Sequence, residues 1–123
     1  MPGGYCDRIG RNILIASETF VVPRNHSGVV FFTAKSRVQG DNADPGGLVQ
    51  LWLTIDSIRR GSLGAQEIKA PSGVAQRTVS ASYLSAGKGA LKPGRHTVGV
   101  YARADGQFVH LSLVRDIPLV WFD

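Results

Sequence analysis

The sequence has very little that would tie it to a cofactor, a metal or a membrane. Cys6 is the only cysteine among 123 residues, which excludes an internal disulfide and a zinc site built on thiolates. No stretch approaches the ~20 apolar residues that a membrane-spanning helix needs, so we expect no membrane insertion. The first residues also lack the basic start and apolar core of a signal peptide. Because the chain can be a segment of a larger protein, this start does not fix the compartment.

Charged residues are scarce, and those of positive sign are scattered. They make up 19% of the chain, against the ~25% of an average domain. The net charge is +5, from 14 Lys+Arg and 9 Asp+Glu, but Arg59-Arg60 is the longest run of arginines. Nucleic-acid binders concentrate basic residues on one face or in one tract. We therefore expect no nucleic-acid partner, whereas an acidic polysaccharide remains an open alternative.

A helical period of 3.6 residues is also missing, and apolar residues alternate with period two instead. This alternation predicts strands at 12–22, 28–38, 48–56, 58–68, 74–84 and 117–122, together with a pair of strands within 95–115. Glycine, proline and aspartate cluster between them, as in G-D-N-A-D-P-G-G at 40–47. The pattern predicts an all-β fold, a two-sheet antiparallel β-sandwich of the jelly-roll type with about eight or nine strands. Residues 12–123 would form this single domain behind a flexible arm at residues 1–11.

The predicted functional surface depends on the stretch from Arg95 to Arg115. Its two alternating segments flank Asp105-Gly106, a pair that signals a two-residue hairpin turn because both of its residues tolerate positive φ. The apolar face of this predicted hairpin consists of Val98, Val100, Ala102, Val109, Leu111 and Leu113, and it is directed to the core. On the opposite face the register places Tyr101 beside His110 and Arg103 beside Phe108.

Aromatic and polar side chains on the outer face form the candidate ligand site. Trp52 lies on the polar side of its own strand, and a flat ring there can stack on the C–H patches of a sugar while polar neighbours bond its hydroxyls. The candidate ligand-binding residues are Gln50, Trp52, Tyr101, Arg103, Phe108 and His110. Two alternatives stay open: the same rings can form an oligomer interface, or they can pack beneath a loop.

Two phrases of the sequence resemble segments of known modules. The segment L-K-P-G-R-H-T-V-G-V (91–100) resembles one in bacterial and phage β-sandwich modules, where a Gly-x-His-Thr phrase enters a late strand. The phrase V-Q-L-W-L-T-I-D (49–56) is similar to the strand that leads into their Asp-Gly hairpin, with Ser57 in place of the glycine. Such modules are accessory domains of carbohydrate-active enzymes, surface proteins or tail fibres. The resemblance implies a jelly-roll sandwich and does not identify a ligand.

Motifs for metal binding and catalysis are weak. Asp41, Asn42 and Asp44 lie in one acidic turn and are the only calcium candidates, but the EF-hand spacing is missing and a plain turn is favoured. The three histidines match no metal motif, and His96 falls on the inward side of its strand, as a structural histidine does. No carboxylate pair, G-x-S-x-G motif or phosphate-binding loop is evident, so we expect no enzyme and no cofactor.

These observations favour a non-catalytic carbohydrate-binding module, an accessory or surface domain with a glycan as partner. Its expected location is extracellular, on a cell surface or on a virion. The alternative is a homo-oligomeric structural or receptor-binding tip, such as the trimeric jelly rolls that resemble tumour necrosis factor. An inert spacer domain is a third interpretation and predicts neither ligand nor oligomer.

Overall fold

The computed structural model describes residues 12–41, 47–68, 74–106, 110–113 and 119–122. Within these ranges the chain forms eight strands and one short 3₁₀ turn. The strands are β1 (Ile13–Val22), β2 (Val29–Asp41), β3 (Gly47–Ile55), β4 (Ile58–Ile68), β5 (Val74–Leu84), β6 (Gly94–Gly106), β7 (His110–Leu113) and β8 (Leu119–Phe122). The 3₁₀ turn, Gly87–Gly89, lies between β5 and β6. The arm predicted at residues 1–11 lies outside the described residues.

The strands build two sheets in which all pairs are antiparallel. The first sheet has the order β1-β6-β3-β4, and the second has the order β5-β2-β7, with β8 also paired to β2. β8 lies along the first part of β2 and β7 along its later part, so these two short strands share one edge of β2. The fold is a two-sheet antiparallel β-sandwich of the jelly-roll type, as the sequence predicts.

Alternation along the strands decides which side chains enter the core between the sheets. The predicted inward residues of the central strands are buried: Val30, Phe32, Ala34 and Ser36 in β2, Val49, Leu51, Leu53 and Ile55 in β3, and Val98, Val100 and Ala102 in β6. Full burial of one large aliphatic or aromatic side chain stabilises a fold by roughly 1.5–3 kcal/mol. A slip of one residue in any of these strands would turn its apolar side outward, so the core fixes the register.

The hairpin predicted at Asp105-Gly106 is wrong. Both residues continue β6, where Gly106 is the register partner of Gly47 in β3. β7 instead pairs with β2 in the second sheet, which places the backbone of His110 opposite Gln39. The reason is that β6 is already flanked by β1 and β3, so it has no free edge on which β7 could pair.

A turn of the expected kind occurs at Asp56-Ser57, between β3 and β4. Their φ angles are 50° and 70°, the two positive values that a type I′ turn requires. Ile55 and Ile58 are direct partners across it, so the loop has two residues. Asp tolerates this left-handed conformation better than most residues, whereas Ser57 occupies a position that glycine would fill with less strain.

We expect Ser57→Gly to raise the free energy of unfolding by about 0.5–1 kcal/mol, because relief of the left-handed strain outweighs the added chain entropy. Urea titration followed by circular dichroism measures the change. Ser62→Gly is the matched control, since Ser62 is an exposed strand residue without a positive φ. The control should lose stability by a similar amount. Equal losses at both positions would contradict the type I′ turn.

Candidate functional site

The outer face of the first sheet brings four of the six candidate residues together. Trp52 of β3 is the register partner of Tyr101 of β6, and Gln50 is the register partner of Arg103. All four residues are half-buried and alternate with the buried core residues of the same two strands. The structure therefore places these side chains next to each other on one surface.

The rings of Trp52 and Tyr101 lie parallel to each other across the two strands. Their planes differ by 7°, and their centroids are 6.0 Å apart. On the other side of β3, the guanidinium carbon of Arg59 lies 5.2 Å from the Trp52 ring centroid. A cation over an indole face contributes about 0.5–1 kcal/mol at an exposed site, which holds the indole in one orientation. We call Tyr101, Trp52 and Arg59 the aromatic row.

A glycine on β6 makes room for one end of this row. A Cβ added at Gly99 would lie 2.8 Å from Thr54 Oγ1, 3.3 Å from Leu14 Cδ1 and 3.6 Å from Tyr101 Cε1. The space above Gly99 is thus already occupied by its neighbours. Leu14 is also the register partner of Tyr101 in β1 and is 49% exposed. The apolar surface consequently extends from the aromatic row onto the edge strand.

Polar groups lie along the same two strands. The Nε–H of Arg103 donates to Asp105 Oδ2 over 3.1 Å, with the two side chains 40% and 46% exposed. A guanidinium has five N–H donors, so this bond leaves donors of Arg103 for another partner. Gln50, opposite Arg103, adds an amide donor and acceptor. Aromatic planes beside such donors and acceptors suit a ligand with both C–H and hydroxyl faces.

Two other predicted site residues, His110 and Asp41, lie in strands of the second sheet. Phe108 lies outside the described residues. The predicted position of His110 beside Tyr101 is wrong, because its strand pairs with β2 in the second sheet. Asp41 is the last residue of β2, while Asn42 and Asp44 lie outside the described residues. Among the described residues, no group of three or more His, Cys, Asp or Glu side chains is arranged to hold a metal ion.

The same ranges contain no helix long and apolar enough to cross a membrane.

A pocket at one end of the sandwich is a second feature, which the sequence did not reveal. Its volume is about 180 Å³, and it lies beside the Asp56-Ser57 turn and the 3₁₀ turn. The basic residues that line it are Arg60, Lys88, Lys92 and His96, and the apolar and aromatic ones include Ile55, Ile58, Tyr83 and Leu91. Among the described residues of the lining, Asp56 is the one acidic residue. We call this cavity the end pocket.

His96 is the structural histidine that the sequence predicts, and both of its ring nitrogens are bonded. Nδ1 lies 2.6 Å from Asp56 Oδ2, and Nε2 lies 2.6 Å from the Lys92 carbonyl oxygen. Both partners are acceptors, so this geometry favours the imidazolium form, in which both ring nitrogens donate. Partial burial opposes the charge of that form, but the Lys92 carbonyl and the Asp56 carboxylate outweigh it and raise the pKa of His96.

Asp56 joins the two phrases that the sequence singled out. Partial burial disfavours its charge, yet hydrogen bonds from His96 and the Thr97 amide lower its pKa below the ordinary value. The Thr97 N–H donates to Asp56 Oδ1 over 2.9 Å, and the Asp56 N–H donates to the Thr97 carbonyl over 2.8 Å. The His-Thr phrase of β6 is therefore fastened to the end of β3. Both carboxylate oxygens of Asp56 are bonded in this contact, and neither is bonded to the aromatic row.

Comparisons with known proteins give a fold and no family. No protein-family model matches the chain, and no curated protein matches it either. Among solved structures, the chain is similar to the EclA C-terminal domain, described as a sugar-binding protein, with a TM-score of 0.50 and 10% identity over 89% of this chain and 77% of that one. A carbohydrate-binding module specific for non-crystalline cellulose, CBM28, gives a TM-score of 0.48 and 8% identity over 86% and 65% of the two chains. Eiger TNF from S. frugiperda gives a TM-score of 0.44 and 18% identity over 80% of this chain and 61% of that one. The chain thus shares the jelly-roll sandwich fold of the EclA domain.

Proposed function

We propose that the chain is a non-catalytic carbohydrate-binding module whose ligand face is the outer surface of β3 and β6. The observation that carries the proposal is the cross-strand pair of Trp52 and Tyr101, parallel within 7° on a half-buried surface. These two aromatic residues lie on neighbouring strands and point away from the core between the sheets, so core packing does not account for them. Their side chains present ring edges and faces to a ligand instead.

Binding would combine stacking and hydrogen bonding. A pyranose ring packs its C–H face on the exposed part of the Tyr101 and Trp52 rings, while Gln50 and Arg103 bond its hydroxyl groups. Arg59 holds the indole from the opposite side. The face is shallow and buries little area, so we expect modest affinity. A glycan ligand suits a module that works outside the cell, so we place it on an extracellular, cell-surface or virion protein.

The test is a glycan array probed with the wild-type chain and with Trp52→Ala and Tyr101→Ala. Each substitution should weaken binding by roughly tenfold or more, because removal of a central aromatic anchor costs more than about 1.4 kcal/mol. Trp121→Ala is the matched control, since Trp121 is 41% exposed but belongs to β8 in the second sheet. The control should bind like the wild type. Full binding by both aromatic variants would refute the site.

Assembly through the same face is the second candidate, and the exposure of Leu14 beside Tyr101 favours it. An apolar edge next to two aromatic residues also suits a subunit contact in a homo-oligomer, for example a trimeric tip domain. Light scattering distinguishes the two functions. Assembly predicts a stable oligomer that Tyr101→Glu dissociates, whereas the ligand face predicts a monomer in both proteins.

A further inference from the structure

The end pocket has a marked excess of positive charge. Arg60, Lys88 and Lys92 line it together with the imidazole of His96, and Asp56 supplies the one carboxylate among the described lining residues. Both oxygens of that carboxylate are engaged, Oδ2 by His96 and Oδ1 by the Thr97 amide. In the part of the chain that the structure describes, neither lysine nor Arg60 has a carboxylate partner of its own.

The lining also has an apolar part. Ile55 is buried, Ile58 is 55% exposed, and Tyr83 and Leu91 pack against the core while they line the cavity. The Tyr83 hydroxyl lies so near Gly89 that a Cβ there would be 2.5 Å from it. The pocket is therefore bounded by a phenol and aliphatic groups as well as by cations. It lies at the end of the sandwich and shares no residue with the aromatic row.

The volume of the end pocket limits the size of the ligand that it can hold. Cavities of about 150 Å³ hold a single six-membered ring such as benzene, whereas drug-sized ligands need about 300–1,000 Å³. A volume of about 180 Å³ thus fits one ring with a small substituent. Cations favour an anionic substituent, and the apolar groups favour a ring with C–H faces rather than an inorganic ion.

We propose that the end pocket binds a carboxylate-bearing sugar ring, that is, a uronic-acid residue, with the carboxylate on Lys88, Lys92 and Arg60. The ring packs against Tyr83 and Leu91. The His96–Asp56 pair forms the rigid wall of the pocket, because His96 is anchored at both ring nitrogens. The module then recognises acidic saccharides at a place distinct from the aromatic row.

The experiment is an NMR titration of the ¹⁵N-labelled chain with D-glucuronate, using methyl glucoside as the neutral counterpart. Glucuronate should cause saturable shifts of the amide signals between Lys88 and Lys92 and at Thr97, while methyl glucoside should cause none. Lys88→Gln and Lys92→Gln together should raise the Kd about fivefold or more, since charge-assisted contacts are lost. Both lysines are exposed, so the rest of the spectrum should be unchanged.

Two control variants separate this site from the aromatic row. Lys35→Gln removes an exposed charge from β2 and should leave the Kd unchanged. Trp52→Ala should weaken array binding without affecting the glucuronate shifts, so a failure of either site leaves the other testable. The absence of saturable shifts would overturn the proposal. Equal affinity for inorganic phosphate or for methyl glucoside would overturn it as well, because the ring or the carboxylate would then contribute nothing.

Discussion

Gly64→Ala should lower the free energy of unfolding by about 3 kcal/mol or more. At this position β4, the edge of the first sheet, runs against β5 of the second, and a Cβ on Gly64 would overlap the carbonyl oxygen of Ser80. Backbone cannot give way as a flexible side chain does, so the two strands must separate. Val79, buried in the core beside Ser80, would move with them. Urea denaturation of the variant measures the loss.

Ala65→Ser is the matched control for Gly64→Ala. Ala65 is the next residue of β4 but is exposed, so the change should stay within about 0.5 kcal/mol of the wild type. A Gly64→Ala variant as stable as this control would show that β4 and β5 do not approach each other as described.

Ser85→Ala should cost about 2–3 kcal/mol. Ser85 is fully buried after β5, and its hydroxyl accepts the Val30 N–H over 2.8 Å and donates to the Gly28 carbonyl over 2.7 Å. Gly28 retains a second bond from the Leu91 N–H, but the Val30 N–H loses its acceptor inside the core. An unsatisfied buried donor costs about 1–3 kcal/mol, and the lost hydroxyl bonds add to that.

Thermal and urea denaturation measure this loss, with Ser82→Ala as control. Ser82 lies three residues before Ser85, in β5, but is exposed, so its replacement should change stability by less than about 0.5 kcal/mol. If Ser85→Ala were equally harmless, the hydroxyl would not be the link between β2 and the segment that follows β5.

The sequence predicts which side chains of a strand point into the core, because that direction depends only on the local alternation of apolar and polar residues. The inward residues of β2, β3 and β6 follow from a period of two, and so does the outward direction of Trp52 and Tyr101. Alternation does not tell which strand lies alongside. That Trp52 and Tyr101 are cross-strand partners depends on the pairing of β3 with β6, which no local pattern encodes.

The pairing of the strands could not be predicted from the sequence. The Asp-Gly signal at 105–106 is genuine turn chemistry, but β6 continues through both residues because β3 supplies their partners. The turn at Asp56-Ser57, which the predicted strands at 48–56 and 58–68 require, is confirmed, and it forms without the glycine typical of such turns. The end pocket was missed for a related reason. It combines residues of β3, β4, β5, β6 and the 3₁₀ turn, and these meet only once the sandwich is closed.

The arrangement of β7 and β8 along β2 has a consequence for synthesis. Val29 pairs with Phe122 and Ser36 with Leu113, so one side of β2 is completed by segments that are synthesised after all the other described strands. A nascent chain must keep that edge unpaired until then, and an open edge is a template for other chains. Contacts so distant in sequence also slow folding into the millisecond-to-second range typical of all-β proteins. A chaperone that shields β2 during translation would therefore raise the yield of native protein.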